Sequence, residues 1–235
     1  MKLSEAVRGV SGTLAADGEF SCIAFATEQE QSQFLTFLEK EKFLPALDNS
    51  KISCVLTTSA LAEKIPPHIK GVFLCDRPKA ALFEIHNRLA RHPDYVGASA
   101  ATVVGEGCSI SPLAAIDREN VVIGDRVTIE PFVVIKGRVI IGNDVTIRSG
   151  AVIGCKGFSF SKDTQGQNVS VEDTARIIIE DHVEIFEQVA ISTGIFPWEE
   201  TRIGENTKVD AQCHIGHGAH IGRTVSYTHL RAHET

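Results

Sequence analysis

Ile123-Gly124-Asp125-Arg126-Val127-Thr128 and Ile141-Gly142-Asn143-Asp144-Val145-Thr146 are two copies of one six-residue phrase. Between them lie Ile129 and Ile135, and after them Ile147 and Ile153, so an isoleucine returns at every sixth position without a break. Upstream the same beat gives Val104, Ile110 and Ile116; downstream it gives Ile179, Ile185 and Ile191, then Ile203, Val209, Ile215 and Ile221. An amphipathic helix repeats at 3.6 residues, and a hairpin array places turns every 8–12. A period of six fits neither. It fits a β-helix in which each hexad is a short strand and a tight turn. The anchor points inward, and the Gly, Asp or Asn beside it suits the corner. Stacked anchors form one continuous core, and three hexads per coil predict about five coils.

The interruptions are as informative as the beat. One extra residue separates Ile116 from Ile123. Gly154 to Ile178 breaks the register; it holds Gly157-Phe158-Ser159-Phe160 and a polar run from Ser161 to Ser170, and it reads as a loop leaving the stack. Loops on a rigid scaffold carry function more often than the scaffold does. Between Ile191 and Ile203 the register holds, but Phe196-Pro197-Trp198 replaces an ordinary hexad and predicts a bulge.

Residues 1–97 carry no hexads. Apolar runs at Cys22–Phe25, Phe34–Leu38, Ile52–Leu56 and Val72–Cys75 read as strands, Phe34–Leu38 equally well as helix. Ser4–Val10, Ser59–Lys64 and Lys79–Arg91 read as helices, with Ser4 and Ser59 as N-caps. This is a small α/β domain that ends near Arg91-His92-Pro93. The expected organisation is an α/β domain over 1–97, a solenoid over 98–223, and a tail over 224–235. The tail resembles translated sequencing adaptor and is expected to be foreign, with the native chain cut short near Arg223.

Composition narrows the function. The chain of 235 residues has 23 basic and 30 acidic side chains, a net charge of −7, which argues against a nucleic-acid-wrapping protein. No apolar run reaches the roughly 18 residues of a membrane helix. Met1-Lys2-Leu3-Ser4-Glu5 turns acidic too early for a signal peptide, so a cytoplasmic location is expected. Cysteines 22, 54, 75, 108, 155 and 213 are scattered, without the spacing of a zinc ribbon or a disulfide framework. They read as reduced, mostly buried thiols.

Three strings carry a resemblance: Ser149-Gly150-Ala151-Val152-Ile153-Gly154-Cys155-Lys156-Gly157-Phe158-Ser159-Phe160, the stretch from Arg176 to Ile185, and Val209-Asp210-Ala211-Gln212-Cys213-His214-Ile215-Gly216-His217-Gly218 with its continuation to Gly222. Together with Asp17-Gly18 and Leu35-Thr36-Phe37-Leu38 they resemble the UDP-3-O-(3-hydroxyacyl)glucosamine N-acyltransferases of lipid A biosynthesis, over residues 3–223. The resemblance implies an α/β N-terminal domain followed by a left-handed parallel β-helix, assembled as a homotrimer. It implies transfer of a 3-hydroxyacyl chain from acyl carrier protein to the 2-amine of a UDP-sugar, without a cofactor or a metal.

Thioester aminolysis needs a base for the amine, a stabilised oxyanion and a dry site. His217 matches the family's catalytic histidine, and imidazole titrates in the right range for a base. Asp210 matches an acidic residue of the same motif and is expected to orient the histidine. The resemblance places Phe37 and Phe43 at the aromatic positions that stack uracil. Lys40 falls where asparagine is expected, and lysine cannot accept the uracil N–H. Gly157 and Phe158 are expected beside the substrate. His182, His214 and His220 sit on other hexads and do not match the spacing of a trimeric β-helical zinc enzyme. The Lys40 departure keeps an acetyl-CoA-dependent nucleotide-sugar N- or O-acetyltransferase open, and a non-catalytic β-helical homologue is the third reading.

Overall fold

A computed structural model describes residues 1–162 and 166–228. The chain divides into two compact units. One is Met1–Val96 with Ser159–Glu172; the other is Gly97–Phe158 with the chain from Asp173 onward.

The first unit is α/β. Helix α1 (Leu3–Ala6) precedes strands β1 (Thr13–Ala16), β2 (Cys22–Ile23), β3 (Phe34–Leu38), β4 (Ile52–Thr57) and β5 (Gly71–Leu74). They form one sheet in the order β1-β5-β4-β3-β2, parallel except for β1. Helix α2 (Pro78–Leu89) opens on proline, whose fixed φ suits a first helical turn, and buries Leu82, Ile85 and Leu89. A short α3 (Pro93–Val96) follows. Phe34–Leu38 resolves as strand, since β3 lies between two parallel neighbours with its residues almost wholly buried. The helix expected over Ser4–Val10 is only the four residues of α1, and Ser59–Lys64 is a 3-10 helix. Neither serine is the cap. Lys2 and Thr58 occupy those positions without a side-chain bond, and the Ser4 hydroxyl donates to Asp17 at 2.8 Å.

The second unit is a parallel β-helix. Its first face stacks rungs from Val103–Val104 to His220–Ile221, its second from Ser109–Ile110 to Ser226–Tyr227, its third from Ala115–Ile116 to His214–Ile215. The rungs pair in parallel with the residue three hexads on: Ile129 with Ile147, Ile135 with Ile153, Ile123 with Ile141. The register also crosses the two longer interruptions, for Ile141 meets Ile179 and Ile179 meets Ile203. The isoleucine ladders and the buried residue two before most anchors, usually Val but also Ala151, Ile177 and Cys213, fill one core.

The Gly-Asp and Gly-Asn pairs now have a cause. Backbone N–H groups at one corner donate to the acidic or amide side chain one coil on: Glu106 to Asp125 at 2.8 Å, Asp125 to Asn143 at 2.8 Å, Asn143 to Asp181 at 2.7 Å. The glycine before each lies under the next coil; a Cβ on Gly124 would fall 2.7 Å from Asn143 Oδ1 and the Gly142 carbonyl carbon. Other corners overturn the expectation of small residues, since Arg126, Phe132, His182 and Gln188 all hold positive φ. Their N–H groups are bonded to carbonyls of the neighbouring coil, as His182 is to Asn143 at 2.9 Å, and the ladder holds a conformation the side chains disfavour.

The excursion after Gly154 contains an antiparallel hairpin, Phe160–Lys162 against Asn168–Ser170, which belongs to the first unit. At the other end the beat does not stop at Gly222. Tyr227 takes the next anchor position, pairs with Val209 and packs half-buried on the core. From His229 the expected tail lies outside the described residues.

Candidate active site

Three neighbouring rungs of the third face release the chain at one edge of the solenoid. Val152–Cys155 leads into Lys156-Gly157-Phe158, Ala190–Ser192 into Thr193-Gly194, and His214–Ile215 into Gly216-His217-Gly218. Because the rungs are parallel and in register, residues far apart in sequence come together: Cys155 lies opposite Ser192, and Ala190 opposite His214. The Thr193 N–H donates to the Cys155 carbonyl at 3.1 Å. The departing loop is pinned where its two arms meet, as the Gly157 N–H donates to Asp173 Oδ2 at 2.8 Å.

The Gly157 Cα faces His217. A Cβ built there would stand 3.5 Å from His217 Cδ2, 3.6 Å from Asp173 Oδ1 and 3.6 Å from the Thr193 carbonyl oxygen. The glycine therefore leaves a space the size of a methyl group beside the imidazole. Gly216 and Gly218, on either side of His217, face open space. The corner is fixed from below by the Gly218 N–H, which donates to the buried Thr201 hydroxyl at 3.0 Å. His217 is exposed, and Phe158 is 94% exposed.

Ser192, Cys155 and His214 form a second feature of this edge, which periodicity alone did not single out. The buried Ser192 Oγ lies 2.9 Å from His214 Nε2 and 3.4 Å from Cys155 Sγ. A signal was present, since numbering the hexads by coil stacks these three residues on one face. Behind them the expected bulge is present: Phe196 is fully buried and stacks on Trp198 at 5.9 Å, and Glu199 Oε2 accepts the Ile195 and Phe196 N–H groups.

Asp210 is not brought to His217 within one chain. It closes the rung Lys208–Val209 on the second face, and its Oδ1 accepts the Ala211 N–H at 2.9 Å in a local turn. His217 follows the next rung, on the third face.

In the first unit, Phe37 is half-buried on β3 and meets Phe25 edge-on at 6.4 Å. Lys40 is exposed ahead of a 3-10 helix over Glu41–Asp48, and Phe43 in that helix is 55% exposed with Lys42 Nζ 4.8 Å above its ring. Phe37 and Phe43 make no ring contact with each other. A cleft of about 680 Å³ opens elsewhere in this unit, beside α2; none of Phe37, Lys40 and Phe43 lines it. Of the six cysteines, Cys54, Cys75 and Cys213 are buried and the other three half-buried, all as free thiols. Burial pushes the thiols of Cys22, Cys54 and Cys75 up to about 11, so they stay protonated. Among the described residues no group of three or more His, Cys, Asp or Glu side chains could hold a metal ion, and no helix is long and apolar enough to cross a membrane.

Comparison with known proteins agrees with this architecture. Residues 120–155 match the bacterial transferase hexapeptide (six repeats). A UDP-3-O-acylglucosamine N-acyltransferase of Coxiella burnetii is 29% identical over 245 residues, covering 94% of this chain and 70% of that protein. The one of Bradyrhizobium sp. is 39% identical over 234 residues, covering 84% of this chain and 63% of that protein. A solved Arabidopsis UDP-N-acetylglucosamine acyltransferase is 23% identical over 52% of this chain and 48% of its own, with a TM-score of 0.42. The chain is thus an α/β domain joined to a hexapeptide-repeat parallel β-helix, and it is related over nearly its whole length to proteins named UDP-3-O-acylglucosamine N-acyltransferase.

Proposed function

We propose that the protein is an N-acyltransferase of lipid A biosynthesis that moves a 3-hydroxyacyl chain from acyl carrier protein to the 2-amine of UDP-3-O-acylglucosamine. The observation that carries this reading is the juxtaposition of Gly157 and His217: an exposed imidazole beside a space kept open by a glycine, at the edge of a rigid coil stack. The names of the relatives supply the reaction class. His217 takes the proton from the amine as its nitrogen attacks the thioester carbonyl. The C–N bond forms, the C–S bond breaks, and the carrier thiolate recovers a proton. Gly157 admits the reacting groups beside the imidazole, and Phe158 offers an apolar surface to the acyl chain.

Uridine stacks on Phe43 with Phe37 at its edge, and Lys40 addresses a carbonyl oxygen or a phosphate, since an ammonium only donates. The reaction uses no cofactor beyond the acyl carrier and needs no metal. The working form is a cytoplasmic homotrimer, in which Asp210 orients the His217 of an adjacent subunit.

The test is direct. The chain is incubated with UDP-3-O-acylglucosamine and either 3-hydroxyacyl carrier protein or acetyl-CoA, and the product is weighed by mass spectrometry. Acyl transfer from the carrier alone supports the reading. Transfer from acetyl-CoA alone moves it to the acetyltransferases, the alternative that Lys40 keeps open. The His217→Ala variant is expected to lose about 10²–10⁴-fold in kcat.

A further inference from the structure

The Cys155–Ser192–His214 chain lies on the same edge as His217, and the acyl-transfer step just described leaves it without a task. We propose that it makes His214 a dedicated hydrogen-bond donor of the site, a partner of opposite role to the basic His217, which binds an acceptor oxygen of the substrate. The substrate's identity rests on the acyl-transfer reading; the donor role rests on the geometry alone.

The argument begins with the hydroxyl. Ser192 is buried and has one proton to give. It stands between the imidazole nitrogen of His214, at 2.9 Å, and the thiol sulfur of Cys155, at 3.4 Å. Sulfur is a weak acceptor, whereas an unprotonated imidazole nitrogen is a strong one. The Ser192 O–H therefore donates to His214 Nε2, and the Cys155 S–H turns its weak proton toward the serine oxygen. In the reverse direction the imidazole would donate to the serine and the serine to sulfur, spending the one hydroxyl proton on the poorer acceptor. With Nε2 occupied as an acceptor, the neutral ring carries its proton on Nδ1.

Position decides what that proton does. His214 is outward and exposed on its rung, while its neighbour Ile215 is buried, so the ring stands on the face of the sheet. Just after it the chain passes Gly216, over which there is open space. Nδ1–H has no hydrogen-bond partner among the described residues, so its proton is the one left for a substrate oxygen. A donor here suits a carbonyl or phosphate oxygen and cannot serve as a base without first losing its proton. Two imidazoles three residues apart so acquire different tasks: one takes a proton from the nucleophile, the other holds an oxygen. Such separation of role by local environment is a common device where two like groups share a site.

Ring nitrogen shifts of 15N-histidine-labelled full-length protein at pH 8 test this, with His214 assigned through His214→Gln. The wild-type ring is expected to be protonated at Nδ1, the less common tautomer of a free histidine side chain. Ser192→Ala should release the lock and move the proton mainly to Nε2, whereas Cys155→Val should leave the tautomer unchanged. In acyl transfer, Ser192→Ala and His214→Ala are each expected to raise KM about tenfold and leave kcat within about twofold, because a binding contact and not the base is lost. A wild-type His214 protonated at Nε2, or a Ser192→Ala variant with the wild-type shifts, overturns the proposal. If the shifts behave as expected but no acyl transfer occurs, the donor stands and the acyl-transfer reading falls. Should Ser192→Ala fold poorly, Ser192→Gly provides the same reading, since it too removes the hydroxyl.

Discussion

At the scale of single residues, Gly154 on a rung and Gly157 in the loop after it make opposite predictions. Gly154 has φ +86°, and a Cβ there would collide with the Lys136 carbonyl. Gly154→Ala should cost about 1–3 kcal/mol in denaturant stability, since it forces a left-handed backbone and a clash together. Gly157→Ala meets only ordinary van der Waals neighbours, so its denaturation midpoint should match the wild type. Its methyl group fills the space beside His217, and turnover should fall at least about tenfold, because a small misplacement at the reacting atoms is costly. His86 gives a pH prediction. It is fully buried, with Nε2 2.8 Å from the Glu172 carbonyl and Nδ1 3.0 Å from the Tyr95 hydroxyl, and burial lowers its pKa below 6.5. Above about pH 6.5 both states are neutral there. As pH falls below that value the unfolded chain takes up a proton and the folded chain does not, so stability declines until the folded pKa is passed. Urea midpoints of wild type and His86→Gln between pH 7.5 and 5.5 should differ in slope, the variant being flatter. Equal slopes would show that His86 titrates alike in both states. The sequence shows His217, because it stands in an Ile-Gly-His string. It does not show His86 or Ser192, whose partners lie on distant segments.

At the scale of elements, the six-residue beat is legible because every rung must bury its anchor against the same residue one coil away. The prediction is a contrast within one rung. Ile147 is fully buried in the ladder between Ile129 and Ile185, and Ile147→Ala should cost about 2–5 kcal/mol. Thr146, the residue before it on the same rung, points outward, and Thr146→Ala should stay within about 0.5 kcal/mol. Chemical denaturation followed by circular dichroism reads both; equal losses would contradict the inward and outward assignment. The beat misleads at the first coil, where Val104, Ile110 and Ile116 hold anchor positions yet remain partly exposed. Each first rung pairs with only one neighbour, so half of its ladder is missing. It misleads again at Tyr227, where an aromatic side chain takes an aliphatic place. In the α/β unit, Ser4 does not cap its helix because its hydroxyl bonds a carboxylate thirteen residues away rather than the backbone of its own turn.

At the scale of the whole molecule, sequence fixes how the coils stack but says less about what meets their outer surfaces. The structure supplies a clue on the first face. Val103, Val122, Ile140 and Ile178 pair in register with their side chains outward, and the first three are 58%, 45% and 40% exposed. A straight apolar strip of this kind on an otherwise charged protein marks an interface. Copies of one chain meet most economically around a closed rotation axis, where the same strip is covered once per subunit. The proposed homotrimer therefore predicts a solution mass roughly three times 25.5 kDa by light scattering at micromolar concentration. It also predicts that the double variant Val122→Lys, Ile140→Lys lowers that mass toward a single chain. Both lysines would sit outside the core, so the β-sheet circular dichroism should survive. A wild-type chain that scatters as a monomer would remove the trimer, and with it the route by which Asp210 reaches a His217. A trimer unmoved by the double variant would keep the assembly and place its contacts away from this strip.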